Sequence, residues 1–159
     1  MRLWRVVLPH RADDALSGEG ARRFGGRWNR PGQAAVYTST TVSLAVLEWL
    51  AHVDPSDAPP ELAAIAYDLP DDEPVTRLGV DDLPDGWRGY PVSEALRRVG
   101  AEWLEADETV GLVVPSVVLP LAEEYNVVLN PGHAGMARLS EARRESVAVD
   151  PRLTGGDSP

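Results

Sequence analysis

The chain has 159 residues, 43% hydrophobic and 25% charged, which suits one globular domain large enough to bury a core. It lacks cysteine, excluding disulfides and thiolate metal sites, and shows neither a membrane-length apolar run nor a signal peptide's long apolar stretch, so a cytoplasmic, non-membrane protein is expected. The formal charge of −10 opposes binding along a nucleic-acid backbone, and no direct nucleic-acid contact is expected.

Leu3–Leu8 reads as a first strand, followed by a Gly/Arg-rich loop from Ser17 to Pro31 and a short strand at Ala35–Thr38. Ser39, Thr40 and Thr41 offer N-caps for a helix running to about His52. Val53–Pro60 is a Pro/Asp-rich connection, and Leu62–Leu69 alternates as a strand. From Asp68 to Asp85 seven acidic residues face one arginine, a solvated loop to which no site is assigned. Pro91 opens a helix whose Val92, Ala95, Leu96, Val99, Trp103 and Leu104 share one face. Val110–Val114 and Val117–Leu119 are strand-like on either side of Pro115-Ser116, and Asn126–Leu129 and Ser146–Val149 are further strands. Thr154–Pro159 reads as a frayed tail. Short strands outnumber helices and mostly lack βαβ spacing, which predicts an α+β domain.

Several site types are missing. Gly18-Glu19-Gly20-Ala21-Arg22-Arg23 fails the dinucleotide fingerprint at its third glycine, and without lysine there is no P-loop. No G-x-S-x-G elbow occurs, and His10, His52 and His133 are scattered. Glu48 and His52 stand at i,i+4 but read as a surface pair, so no metal is expected.

Glu48 is the most informative position. It sits in the apolar helix VSLAVLEWLA, where a lone carboxylate faces a desolvation penalty. It occupies the helix's wet stripe, pairs with an arginine for structural reasons, or is held in a cleft for chemistry. Arg27, in Gly25-Gly26-Arg27-Trp28-Asn29, is either a solvated loop arginine or a clamp for a pyrophosphate approached across the glycines. Tyr37 closes the strand before that helix and reads alone as a core aromatic with a satisfied hydroxyl. Ser116 follows a proline that breaks a strand pattern and can re-aim a side chain. Asn126 and Asn130 bracket NVVLNP; Asn130-Pro131-Gly132 is a turn, and His133 follows it as a loop histidine. All fifteen basic residues are arginines, and seven of them stand in the first fifty positions against four acids. Any phosphate bound here must be gripped by guanidinium forks.

In order, these residues resemble the RES family, named for its Arg-Glu-Ser signature. The matching stretches are LWRVV, then GGRWNRPGQAAVYTSTTVSLAVLEWLAH, then VPSVVLPLAEEYNVVLNPGH, from Leu3 to His133. The resemblance implies an ADP-ribosyltransferase-like α+β fold, with small sheets and flanking helices around an NAD⁺ cleft, over residues 1–153. Arg27, Tyr37, Glu48 and Ser116 match the family's active-site positions, and Asn126 matches its motif. The resemblance implies Glu48, Arg27 and Ser116 as catalytic residues and Arg27, Tyr37, Ser116 and Asn126 as NAD⁺-binding residues.

It further implies a toxin of a toxin–antitoxin pair that degrades NAD⁺, its substrate, by cleaving the nicotinamide–ribose bond. Water, phosphate or a protein side chain remain open as acceptors. The implied partner is a helix-turn-helix (Xre-type) antitoxin. A silent NAD⁺ or ADP-ribose binder is the rival from another class.

Overall fold

The computed structural model describes residues 1–120 and 123–154. Seven strands form one sheet: β1 (Arg2–Val7), β2 (Val36–Ser39), β3 (Glu61–Asp68), β4 (Val75–Arg77), β5 (Gly111–Pro115), β6 (Tyr125–Leu129) and β7 (Ser140–Ala148), in the order β4-β5-β6-β2-β1-β3-β7. Helices are α1 (Glu19–Phe24), α2 (Val42–Leu50) and α3 (Glu94–Ala106), supplemented by short 3-10 turns.

The sheet is nearly two sheets. β1 and β3 pair along six consecutive positions from Arg2↔Asp68 to Val7↔Ala63, and β2 and β6 pair from Val36↔Leu129 to Ser39↔Asn126. Between these halves β1 and β2 share a single register pair, Trp4↔Ser39. The small sheets expected from the resemblance are therefore a three-stranded and a four-stranded half, joined at one point and parting beyond it.

Side-chain alternation builds a layer on each face. Leu3, Val36, Ile65, Val113, Val127 and Leu129 meet on one face, with Ala12 and Ala15 of the connection before α1 packed into the same cluster. The opposite face carries both long helices. Ala45 of α2 packs with Val6, Leu62 and Ala64, while Leu96 of α3 packs with Leu112, Val114 and Val128. Each helix covers one half of the sheet, so the seam between the halves on this face is also the gap between the helices.

Local chemistry accounts for both helix starts. The Thr41 side chain accepts from Leu44 N, and the Ser93 side chain accepts from Leu96 N, both at 3.2 Å, each satisfying a backbone N–H that the first helical turn leaves unpaired. α2 is apolar nearly all round, yet only Leu44 and Ala45 are buried in it, and its Ser43 and Leu47 are exposed.

Four elements differ from the expectation. The loop Ser17–Pro31 contains α1, stabilised by Glu19 bridging Arg22 and Arg23 at 2.7 and 2.8 Å. The acidic Asp68–Asp85 stretch contains β4, which pairs parallel with β5; α3 lies in the connection, as a parallel pair requires a long crossover. Val117–Leu119 is a bend rather than a strand, because the Leu119 N–H donates to Ser116 Oγ at 2.9 Å and turns the chain. The last strand spans Ser140–Ala148, and its alternating charges, paired as Arg143–Glu145 and Arg144–Glu141, hide its length from apolar periodicity while guarding an exposed edge. Of the expected tail, Thr154 closes a 3-10 turn from Pro151, and residues 155–159 lie outside the described residues.

Candidate active site

Strand register brings the central side chains together. Ser39 and Asn126 are direct partners and therefore share a face. Val114 also opposes Asn126, so two residues further on Ser116 leaves the end of β5 toward the same face. That is the face covered by α2, whose Glu48 points into the gap.

There Glu48 Oε1 accepts two hydrogen bonds, one from Ser116 Oγ at 2.7 Å and one from Asn126 Nδ2 at 2.5 Å. Ser39 Oγ donates to Asn126 Oδ1 at 2.8 Å. The amide is thereby oriented: its oxygen is taken, so its NH₂ faces the carboxylate. Ser116 and Ser39 are buried, at 0% and 2% exposure, while Glu48 and Asn126 are half-buried. Glu48 Oε2 makes no hydrogen bond among the described residues, leaving one carboxylate oxygen clamped and one presented to the gap.

Of the readings open for Glu48, a structural arginine pair is not found: no arginine lies at ion-pair distance among the described residues. Its i,i+4 neighbour His52 makes no ion pair with it among the described residues. Instead His52 Nδ1 donates to the Glu48 carbonyl at 2.7 Å, capping the helix end. Among the described residues no group of three or more His, Asp or Glu side chains could hold a metal ion.

Arg27 is half-buried, and its Nη1 donates to the carbonyls of Trp87 at 2.7 Å and Gly89 at 3.4 Å. Burial pulls its guanidinium below the ordinary value, against the opposing influence of the Glu48 carboxylate. The Arg27 loop is held from below by Tyr37, whose hydroxyl donates to Asn29 Oδ1 at 2.8 Å and accepts from Trp28 N at 3.0 Å. Burial pushes that phenol above its ordinary range. Gly26 makes this possible, since a Cβ there would overlap the Tyr37 hydroxyl. Asn29 completes the loop by donating to the carbonyls of Ala21, Arg30 and Gln33. The satisfied-hydroxyl reading of Tyr37 thus describes its phenol, and only its ring remains for a ligand.

His133 Nδ1 accepts from Gly135 N at 2.9 Å and caps the turn Ala134–Arg138. Sequence reasoning passed over Ser39, which it treated as a helix cap, and Arg5, whose Nη1 donates to the Tyr37 carbonyl at 2.6 Å across the β1/β2 seam. The available signal for Arg5 was a second charged residue in a largely apolar strand; the placing of Ser39 opposite Asn126 shows only in the register.

The geometry defines a mixed α+β protein with a seamed sheet and a clamped carboxylate at the seam. The chain belongs to the RES domain family, whose model matches residues 2–150. It is 38% identical over 154 residues to "Toxin Res" of Yersinia enterocolitica, covering 96% of this chain and 99% of that protein. It is 34% identical over 157 residues to the "Prs ADP-ribosylating toxin" of a Sphingobium species, covering 94% of each. A segment of 28 residues, 18% of this chain and 14% of the other, is 71% identical to the "NAD(+) phosphorylase MbcT" of Mycobacterium tuberculosis. The crystal structure of the M. tuberculosis MbcT–MbcA toxin–antitoxin complex superposes with a TM-score of 0.63 at 26% identity, covering 97% of this chain and 86% of that one. The α+β, ADP-ribosyltransferase-like architecture implied by the resemblance is the one found.

Proposed function

We propose that this protein is the toxin of a toxin–antitoxin pair and cleaves the nicotinamide–ribose bond of NAD⁺ in the cytoplasm, with residues 1–153 as the working domain. The observation that carries the reading is the Glu48 carboxylate, held through one oxygen by Ser116 and Asn126 with the other turned to the gap. The names of the Yersinia, Sphingobium and mycobacterial relatives support it.

The chemistry suits a single carboxylate. As the ribose C1″–N bond breaks, its electron pair passes to the pyridinium nitrogen, so nicotinamide leaves neutral and needs no proton. Positive charge develops on the ribose, and a fixed anion beside it stabilises the transition state more than the ground state. Ordinary glycosidases need a second carboxyl group to protonate their leaving group. Glu48 takes the cation-stabilising role, Ser116 holds Glu48 and reaches the nicotinamide ribose, and Asn126 fixes the carboxylate and borders the same ribose. Arg27 grips the pyrophosphate, and the Tyr37 ring flanks the nicotinamide. The proposed partner is an Xre-type helix-turn-helix antitoxin, which would make any DNA contact.

The test is incubation with NAD⁺, with and without phosphate, with products identified by NMR. Free nicotinamide with ADP-ribose identifies a glycohydrolase; a ribose-1″-phosphate formed only with phosphate identifies a phosphorylase. Glu48→Gln lowers kcat by on the order of a hundredfold with NAD⁺ KM nearly unchanged, whereas Arg27→Ala raises KM as well. Survival of NAD⁺ under both conditions, or full activity in Glu48→Gln, sinks the reading. A second reading, ADP-ribosyl transfer to a protein, is favoured by the name of the Sphingobium relative. It predicts label from NAD⁺ on a target protein with little bulk NAD⁺ loss.

A further inference from the structure

The pairing of β2 with β6 does not stop at Ser39↔Asn126. Thr40 N donates to the Tyr125 carbonyl at 2.9 Å, and Tyr125 N donates to Thr40 Oγ1 at 3.0 Å. The same register is thereby carried past the strand ends and sets Thr41 opposite Glu124. Two positions along from Ser39 and Asn126, this pair lies on the same face, the one that α2 covers. The contact also repeats: as Ser39 Oγ donates to Asn126 Oδ1, so Thr41 Oγ1 donates to Glu124 Oε1, at 2.9 Å.

Thr41 is the N-cap of α2. A hydroxyl has one proton, and giving it to Glu124 leaves the lone pairs of Thr41 Oγ1 for Leu44 N, which donates to it at 3.2 Å. The Glu124 carboxylate thus fixes the direction of the cap. It is half-buried, it makes no ion pair among the described residues, and its charge suits the positive end of a helix. β6 and the residues just before it therefore fasten α2 at both ends, at its start through Glu124 and Thr41 and in its last turn through Asn126 and Glu48. Such fastening matters because the helix has little apolar anchorage: of its nine residues only Leu44 and Ala45 are buried. A shift of α2 along the sheet would carry the Glu48 carboxylate away from Ser116 and Asn126.

We propose that Glu124 is a positioning residue for Glu48. It orients the Thr41 cap, sets where α2 lies along β6, and so holds the reacting carboxylate in place without touching the substrate. The proposal rests on the reading of Glu48 as the group that stabilises the ribose cation.

The test compares Glu124→Ala with Glu124→Gln, whose amide oxygen can still accept from Thr41. Glu124→Ala is expected to lower kcat for NAD⁺ cleavage by about tenfold with KM within about twofold, and Glu124→Gln to recover most of that loss. A brace that serves only the fold would lower the melting temperature and leave kcat unchanged; that result overturns the proposal, as does a loss that glutamine does not recover. Should Glu124→Ala fail to fold, Glu124→Asp decides, because its carboxylate is one methylene too short to reach Thr41: parent kcat in this variant overturns the proposal. The Asn126 side-chain NH₂ resonances give a readout that needs no turnover. They move in Glu124→Ala and stay near the parent position in Glu124→Gln, and their indifference to both variants overturns the positioning role. If they respond as expected while the parent protein leaves NAD⁺ intact, the positioning stands and the cleavage reading falls.

Discussion

Ser39 reaches the candidate reaction centre only through Asn126. Its hydroxyl occupies the amide oxygen, and without it the amide is free to rotate and turn its oxygen toward the Glu48 carboxylate, exchanging a charge-assisted hydrogen bond for repulsion. Hydrogen bonds to charged groups contribute about 1.5–3 kcal/mol each, enough to alter the carboxylate's placement while leaving the sheet intact. Ser39→Ala is therefore expected to lower kcat by on the order of tenfold, about 1.4 kcal/mol of barrier, with NAD⁺ KM little changed. In an Asn126→Ala background the same substitution should add almost nothing, because the two act as one unit. Steady-state kinetics on the two single variants and the double variant check this; additive losses, or a KM that rises as kcat falls, would remove Ser39 from the catalytic network.

α3 presses on the Arg27 loop at Gly100, where a Cβ would overlap the Trp28 carbonyl, and Arg97 Nε donates to the Gly26 carbonyl at 3.3 Å. Helix propensity alone makes Gly100→Ala stabilising by about 1 kcal/mol. Overpacking against backbone that cannot give way costs about 1–3 kcal/mol, and here it wins. The variant is expected to melt several degrees lower, at roughly 2–4 °C per kcal/mol for a chain of this size, and to bind NAD⁺ more weakly as the loop shifts. A melting temperature equal to or above the parent's contradicts this account. The same contact shows what the sequence could reveal. Periodicity gave the apolar face of α3, and capping residues marked the start of α2, because those signals are local. β4, only three residues long, and the full length of the largely polar β7 stayed hidden because their strand state is set by pairing partners. Glu48 was legible as an anomaly in an apolar helix, and Arg27, Tyr37, Ser116 and Asn126 only through the family's spacing. Ser39 was not, since its role depends on register with a strand far along the chain.

At the scale of the whole molecule the seam governs behaviour. The two halves of the sheet share one register pair, the Arg5 bridge to the Tyr37 carbonyl and a common apolar cluster on the face away from the helices, so backbone opening along the seam costs less than unfolding either half. The proposed ligand contacts stand on both sides: Glu48 on α2 over the three-stranded half, and Tyr37, Ser116 and Asn126 on or beside the four-stranded half. A ligand that spans the seam binds the closed arrangement preferentially and stabilises it through linkage, by about 2.7 kcal/mol at a free concentration a hundred times its dissociation constant. Hydrogen exchange on the Glu48→Gln protein should then slow on adding NAD⁺ at the amides of β1 beyond Trp4 and of Val36–Ser39. The β3 amides, already paired on both sides by β1 and β7, should change little. Uniform slowing across the sheet would mean that the halves open only together, and no slowing at the seam would place the dinucleotide elsewhere.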